Sequence, residues 1–235
     1  MPVKPITDTE TDTGSRHATV GLPPIAYRTL RALAHGVNRA YWRVTQEGPG
    51  RVPVSGPVIL APVHRSNIDF LVASEVTKRK LFYMAKDSLW KAPRFGAFLE
   101  SIGAFPVNRD GADRLALDRA QDVLERGEAL ILFPEGTRRS GPVVEELHEG
   151  AAFLAARTGA PIVPIGIGGS AAAMPKGSKM VRPVKIHLVV GEPMDPPPRS
   201  ARGRVPRHQV HELTEELRAE LQRLYDRAQL RVGER

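Results

Sequence analysis

The residues best placed to do chemistry in this sequence are a histidine and an aspartate five positions apart. His64 follows a short apolar run at 57–62, which predicts a buried strand. Asp69 lies in the first turn of the helical pattern that comes next. If His64 lies outside that helix, the Asp69 carboxylate can hold one imidazole nitrogen while the other acts as a base. The spacing therefore favours a general base at a strand-to-helix turn.

The same stretch also fits a purely structural role. The residues Ser66-Asn67-Ile68-Asp69 have the Ser-x-x-acid spacing of a helix capping box, in which Asp69 serves the helix end. A single histidine near a turn is usually structural as well. This stretch alone leaves both interpretations open, and the rest of the chain has to distinguish them.

Charged and polar residues follow three other predicted strands. These strands are expected at 80–85, 104–108 and 129–134, and the residues that follow them are Lys86, Arg109 and Glu135-Gly136-Thr137-Arg138. In a parallel sheet the C-terminal ends of the strands share one edge, where ligands bind. Guanidinium groups suit phosphate oxygens, and a glycine lets the backbone approach a ligand closely. The placement predicts a phosphate-binding pocket beside the histidine.

Strand and helix patterns alternate along the chain that must position these groups. Further strands are predicted at 161–168 and 184–190, and helices at 67–78, 93–101, 112–126, 148–158 and about 207–230. Such alternation is typical of an α/β layered domain with a largely parallel, mixed central sheet flanked by helices. We assign this catalytic domain to residues 47–235.

The N-terminal part of the chain has a different character. Residues 1–21 lack a hydrophobic period, which predicts a disordered tail. The spacing of apolar residues at 22–46 predicts an amphipathic helix with a basic polar side and with Trp42 near its end. These features are typical of helices that lie at a membrane interface. The alternative is an ordinary helix docked on the core. The two are compatible if the apolar stripe is shared.

Composition narrows the possible partners and chemistry. The formal charge of +8 favours anionic partners such as phosphate-bearing molecules, anionic lipid or nucleic acid. The absence of cysteine excludes disulfides, thiol nucleophiles and thiolate metal sites, and fits a reducing compartment. The histidines show no metal-ligand spacing. No apolar stretch reaches the roughly 18 residues of a membrane span. With 6% aromatic residues and no recognised motif, we expect no nucleic-acid binding.

Four segments with motif-like residues occur in order along the chain. They are His64-x4-Asp69, Gly103-Ala104-Phe105-Pro106-Val107-Asn108-Arg109, Phe133-Pro134-Glu135-Gly136-Thr137-Arg138 and Pro161-Ile162-Val163-Pro164-Ile165. Together they resemble the motifs of the glycerolipid acyltransferases, and most of all the 1-acylglycerol-3-phosphate (lysophosphatidic acid) acyltransferases. The resemblance covers roughly residues 25 to 192, and the third segment is the most specific of the four.

The resemblance implies transfer of a fatty acyl group from a thioester of coenzyme A or acyl carrier protein to lysophosphatidic acid, giving phosphatidic acid. His64 would be the base and Asp69 would orient it, without a covalent acyl-enzyme, cofactor or metal. The implied acceptor site comprises Arg109, Glu135, Gly136, Thr137 and Arg138, with Lys86 as a further phosphate contact. Val163, Pro164 and Ile165 would shape the acyl-donor side. The expected location is the cytoplasmic face of the cell membrane, with peripheral attachment.

Three departures from the family pattern bear on the acceptor. Val63 precedes the histidine where relatives often carry Asn, and Arg139 stands where Ser is common. The segment Leu147-His148-Glu149-Gly150 replaces an aromatic residue and a lysine before the glycine. Acyl transfer to another lysophospholipid, glycerol 3-phosphate or a glycolipid therefore remains an alternative. A non-catalytic membrane-surface protein is a further one.

Overall fold

The computed structural model describes residues 22–108, 113–175, 177–178, 180–197 and 205–233. The predicted tail at 1–21 and the predicted phosphate ligand Arg109 lie outside these residues.

A seven-stranded sheet forms the centre of the molecule, in the order β1-β7-β6-β2-β5-β3-β4. The strands are β1 (Thr45–Glu47), β2 (Val58–Pro62), β3 (Leu81–Lys86), β4 (Ala104–Val107), β5 (Ala129–Ile131), β6 (Ile162–Gly168) and β7 (His187–Val190). Strands β2 to β6 run parallel to one another, whereas β7 runs antiparallel to β6. This confirms the predicted α/β fold with a largely parallel, mixed sheet.

Seven α-helices flank the sheet in the described part of the chain. They are α1 (Pro24–Ala40), α2 (Asp69–Ala73), α3 (Pro93–Ser101), α4 (Arg114–Glu125), α5 (Gly150–Thr158), α6 (Ser170–Ala173) and α7 (Arg207–Val232). The long helix predicted at 67–78 is shorter than expected, because it tightens into a 3₁₀ turn at Ser74–Val76. None of the described helices is long and apolar enough to cross a bilayer.

Helix α7 packs its backbone directly against β6. A Cβ on Gly166 would lie 2.3 Å from the carbonyl oxygen of Leu224, and one on Gly168 would lie 2.3 Å from that of Ala228. Glycine within a strand marks such a close backbone approach. Leu217 and Leu221 of α7 are fully buried in the same interface. The C-terminal helix therefore closes one face of the strand that lies next to β2, which leads to His64.

The predicted end of the N-terminal helix at residue 46 is wrong. Helix α1 ends at Ala40, and the chain then runs along β7, where Trp42 O accepts a hydrogen bond from Ile186 N at 3.0 Å. Trp42 and Val44 are buried, whereas Arg43 between them is exposed and has a left-handed backbone with φ of +45°. The strand β1 begins directly after Val44. Trp42 is thus a core residue and does not anchor a membrane helix.

Polar side chains dock α1 on the segment that follows α2. Arg31 donates to the carbonyl oxygens of Ser74 and Arg79 at 3.2 and 3.0 Å, and Asn38 donates to Oε1 of Glu75 at 2.7 Å. The apolar stripe is divided between the core and the surface. Leu30 and Ala34 line a hollow against the body, whereas Leu33, Val37 and Tyr41 are exposed.

Candidate active site

The His64 imidazole and the Asp69 carboxylate are in contact at the C-terminal end of β2. His64 Nδ1 lies 3.0 Å from Oδ2 of Asp69, and the Asp69 side chain is fully buried. The Nδ1–H therefore donates to the carboxylate, and Nε2 remains as the basic nitrogen. Nε2 has no protein partner in the described part of the chain, and the ring stacks on Phe133 with centroids 4.2 Å apart. The arrangement presents one oriented nitrogen for proton transfer.

Asp69 also performs the structural role that its spacing allows. Its Oδ2 accepts backbone hydrogen bonds from Arg65 N and Ser66 N, both at 2.6 Å. The Ser66 hydroxyl does not complete a capping box, since it donates instead to Met174 O at 3.2 Å. The two interpretations of the sequence are thus compatible. The same carboxylate fixes the turn and orients the imidazole.

A buried ion pair, which we did not foresee from the sequence, holds the main chain of His64. The Arg65 guanidinium Nη1 donates to Oε1 and Oε2 of Glu135 at 2.7 and 2.6 Å, and both side chains are inaccessible to solvent. Oε1 of Glu135 also accepts from His64 N at 2.8 Å. The His64 carbonyl oxygen in turn accepts from Arg139 N at 2.9 Å. The loops after β2 and β5 are therefore joined around His64.

Glu135 differs from its predicted role as an acceptor contact. Its carboxylate is fully buried and is engaged by Arg65 and by the backbone of His64. A carboxylate in this environment stabilises the arginine and the loop. Arg65 directly follows the motif histidine and Glu135 directly precedes Gly136, but neither position indicates by itself that the two charges pair.

Gly136 allows an imidazole to lie against the loop after β5. Its φ is +66°, and a Cβ there would lie 2.5 Å from Cδ2 of His148. His148 is held in place by its backbone N–H, which donates to Pro134 O at 2.9 Å. A titratable ring therefore covers the glycine that was predicted to approach the acceptor. His148 belongs to the segment that departs from the family pattern.

The other predicted phosphate contacts that the structure describes lie at the same edge of the sheet. Arg138 is partly exposed and precedes Arg139, which bonds directly to the His64 backbone. Thr137 is exposed beside it. Lys86 ends β3, is exposed, and is in register with Val107 of β4. Lys86, Thr137 and Arg138 thus lie at the rim that carries His64, as their positions after parallel strands predicted.

The Asp113 carboxylate joins the end of β4 to the start of α4. The Asp113 carboxylate accepts from Asn108 N at 2.8 Å and from Ala116 N at 3.0 Å. These backbone hydrogen bonds lower the pKa of Asp113. The carboxylate caps α4 and ties its start to the end of β4, where the chain enters the Arg109 segment.

Val163, Pro164 and Ile165 lie within the buried strand β6 and not on an open surface. Their predicted part in shaping the acyl-donor side stays a prediction. They pair with Leu60, Ala61 and Pro62 of β2. The Ile165 carbonyl accepts from Val63 N at 3.0 Å, directly before His64. Their visible contribution is to fix the strand that ends at the histidine.

No cluster of three or more potential metal ligands occurs among the residues that the structure describes.

The sequence is similar to known acyltransferases. A family model described as Acyltransferase matches residues 43–168, which is more than half of the chain. The 1-acyl-sn-glycerol-3-phosphate acyltransferase of Bacillus subtilis is 30% identical over 144 residues, covering 61% of this chain and 69% of that protein. The chloroplastic enzyme LPAT1 of Arabidopsis thaliana, which carries the same name, is 27% identical over 158 residues, or 66% of this chain. This chain spans only 44% of the Arabidopsis protein.

A solved structure has a similar fold. The crystal structure of the 1-acyl-sn-glycerophosphate acyltransferase PlsC from Thermotoga maritima matches with a TM-score of 0.68. The match covers 85% of this chain and 80% of that one, at 24% sequence identity. At this identity the likeness concerns the fold.

Proposed function

Because this chain belongs to the acyltransferase family, we propose that it transfers a fatty acyl group from an acyl thioester to the hydroxyl of 1-acylglycerol 3-phosphate, forming phosphatidic acid. The observation that carries this proposal is the His64–Asp69 contact, with Nε2 unengaged in the described structure. The relatives named for this reaction support the choice of acceptor. The reaction would serve phospholipid synthesis.

The proposed chemistry needs no covalent intermediate on the protein. The acceptor hydroxyl gives its proton to Nε2 of His64 as its oxygen attacks the thioester carbonyl. The Asp69 carboxylate stabilises the imidazolium that results. When the tetrahedral intermediate collapses, the carbon–sulfur bond breaks and the imidazolium returns the proton to the thiolate. The products are an ester and a free thiol. The chain has no cysteine, and the Ser66 hydroxyl is directed at Met174 O, which fits direct attack.

We assign recognition of the acceptor phosphate to Lys86, Thr137 and Arg138, together with Arg109. The guanidinium of Arg138 offers paired donors to phosphate oxygens, and Lys86 adds a point charge from the neighbouring strand. Gly136 keeps the loop backbone close to this position. Glu135 contributes indirectly, through Arg65 and the His64 backbone. The acyl donor is a thioester of coenzyme A or of acyl carrier protein, and the reaction requires no cofactor.

A second acceptor class is favoured by His148. Its ring lies against Gly136, and His148 belongs to the segment at 147–150 that departs from the family pattern expected from the sequence. An imidazole differs from an ammonium group in shape and in the number and direction of its hydrogen-bond donors. A lysophospholipid with a substituted phosphate, glycerol 3-phosphate or a glycolipid would each present a different polar group to the side chain at this position.

Attachment to an anionic membrane surface is part of the proposal. Helix α1 exposes Leu33 and Val37, Tyr41 directly after it is exposed as well, and the exposed cations of the helix include Arg28 and Arg39. This composition suits peripheral binding at the cytoplasmic face of the cell membrane. Deleting residues 1–46 would also remove the buried Trp42 and Val44, so the surface variant Leu33→Ser/Val37→Ser is the better test. Weaker sedimentation with anionic liposomes supports the proposal, whereas unchanged sedimentation places the contact elsewhere.

An acceptor panel tests the proposed reaction. Purified protein is incubated with labelled acyl thioesters and with lysophosphatidic acid, lysophosphatidylcholine, glycerol 3-phosphate or a glycolipid, and the products are identified. We expect phosphatidic acid as the main product. Transfer to a different acceptor would assign the second class, and the absence of transfer to any of them would remove the enzymatic proposal.

A further inference from the structure

An exposed aromatic stripe lies on helix α3, outside every segment assigned to the reaction. Phe95 and Phe98 are 45% and 43% exposed, and their ring centroids are 6.3 Å apart. The opposite side of α3 is buried through Gly96 and Leu99. Large apolar side chains grouped on a surface mark an interaction site more often than isolated ones do.

The stripe continues into the hollow beneath α1. Ile102 follows Phe95 and Phe98 at helical spacing, and Ile102 lines this hollow, whose volume is about 80 Å³. The facing wall comes from Tyr27, Leu30 and Ala34 of α1. Leu22 N, just before α1, donates to Ser101 O at the end of α3 at 2.9 Å. The aromatic side of α3 is therefore continuous with α1.

The hollow also borders helix α2, which begins with Asp69. Phe70 lines the hollow, is 43% exposed, and directly follows Asp69 in the chain. Its ring lies edge-on to Tyr83, with centroids 6.1 Å apart. A ligand that covers α1 and α3 together would thus lie next to the helix that begins with the orienting carboxylate.

A braced turn keeps the stripe exposed and adds positive charge. The Trp90 indole packs where a Cβ on Gly96 would stand, at 2.7 Å from Cδ1, and its Nε1 donates to Oε1 of Glu100 at 2.9 Å. The exposed cations Lys91 and Arg94 flank the turn. Aromatic side chains beside cations match the boundary between acyl chains and anionic headgroups.

We infer that α3 is a second bilayer-contacting element, which binds anionic phospholipid membranes through Phe95, Phe98, Lys91 and Arg94. This inference rests on the proposed function, in which a lipid acceptor reaches His64 from a membrane. Contact through both α1 and α3 orients the protein, whereas α1 alone leaves it free to rotate about that helix. We take the partner of this exposed face of α3 to be a lipid surface because cations border the aromatic stripe and because the stripe joins the proposed membrane side of α1.

Vesicle binding of the full chain tests the assignment. The vesicles contain phosphatidylglycerol and phosphatidylcholine. The affinity of Phe95→Ser/Phe98→Ser for them should be lower than that of wild type by roughly tenfold or more, because two aromatic rings lose membrane burial. The matched control is Phe153→Ser/Leu230→Ser, which removes two exposed apolar residues from α5 and α7 and should bind like wild type. Lys91→Glu/Arg94→Glu should weaken binding to these vesicles and leave the weak binding to pure phosphatidylcholine unchanged.

A second measurement does not depend on altering the stripe. Brominated phospholipid should quench the fluorescence of the wild-type protein through Trp90, and Trp90→Phe should abolish the effect. Quenching that persists in Trp90→Phe, or vesicle binding unchanged by Phe95→Ser/Phe98→Ser, overturns the inference. So does a change from dimer to monomer in that variant without any change in vesicle binding, which would make the face an interface between copies.

Acyl transfer to detergent-dispersed acceptor separates this inference from the proposed function. Phe95→Ser/Phe98→Ser should retain wild-type turnover in detergent while losing vesicle binding. Absence of turnover in the wild-type protein would remove the proposed reaction, and the vesicle and quenching results would still decide whether α3 contacts lipid.

Discussion

The Glu135 carboxylate is bound by the Arg65 guanidinium through hydrogen bonds of 2.6 and 2.7 Å, and the pair lies directly beneath the His64 peptide group. Buried charges are costly unless they are paired and fully hydrogen-bonded. The pair joins the loop after β2 to the loop after β5. Positioning of the histidine therefore depends on two residues that have no contact with its ring in the described structure.

Breaking this ion pair should destabilise the protein strongly. Arg65→Met leaves the Glu135 carboxylate buried without its partner, and we expect a loss of about 3–5 kcal/mol in the free energy of unfolding. Arg65→Met/Glu135→Gln should recover part of that loss, because the unpaired charge is gone. Urea denaturation measures both. The control is Arg218→Met, which breaks the half-exposed pair with Glu215 and should cost at most about 1 kcal/mol. An equal effect of Arg65→Met and Arg218→Met would contradict the account.

Gly136 and His148 should show a coupled response to substitution. Gly136→Ala puts a methyl group within 2.5 Å of the His148 ring at a φ of +66°, so both a clash and backbone strain are expected. In Gly136→Ala/His148→Ala the clash is relieved, and only the strain of about 1 kcal/mol should remain. Thermal unfolding of the four proteins gives the coupling. Strictly additive effects would show that the ring does not occupy this position in solution.

Removing Arg138 should affect the acceptor more than the donor. Arg138→Ala should raise KM for a phosphorylated acceptor roughly tenfold or more, because a charge-assisted hydrogen bond to phosphate is lost. KM for the acyl thioester should change little. Arg218→Ala, on the exposed side of α7, serves as the charge-matched control. Equal changes in both KM values would remove Arg138 from acceptor recognition.

Stability should fall below neutral pH through His187, a buried histidine on β7. Burial lowers the pKa of His187 from its ordinary 6.5, although Glu47 acts in the opposite direction. The unfolded chain therefore takes up a proton near pH 6.5 that the folded chain takes up only at lower pH. The contribution of His187 to the free energy of unfolding is present above pH 6.5 and is lost as the pH falls towards the pKa of the folded state. The free energy of unfolding then changes by at most about 1.4 kcal/mol per pH unit.

His187→Gln isolates this contribution. The difference in unfolding free energy between wild type and His187→Gln, measured in urea from pH 5 to pH 8, should decrease as the pH falls. Burial would raise the pKa of Glu47, but Arg227 and Arg231 outweigh it and lower the pKa. Glu47 therefore loses its contribution only below its ordinary pKa of 4.5, outside this range. A difference independent of pH would contradict the assignment to His187.

The sequence was sufficient to predict the sheet and the placement of Lys86 and Arg138, because residues after parallel strands share one edge whatever their detailed packing. It was insufficient for the Arg65–Glu135 pair, since seventy positions separate the two residues and no local pattern predicts burial of both charges. The β1 strand, Thr45–Glu47, was missed because it is only three residues long and follows closely on a helical period. Val163 and Ile165 are buried because β6 lies inside the sheet, and the residue types of the motif do not by themselves predict the position of a strand in the sheet.

Turnover of a His64 variant is the most direct test of the central claim. Formation of phosphatidic acid from lysophosphatidic acid and an acyl thioester is measured for wild type and His64→Ala, after equal folding and liposome binding have been verified. General base catalysis by His64 predicts a loss of about 10²–10⁴-fold in kcat for the variant. A His64→Ala protein that turns over as fast as wild type would contradict the proposed mechanism.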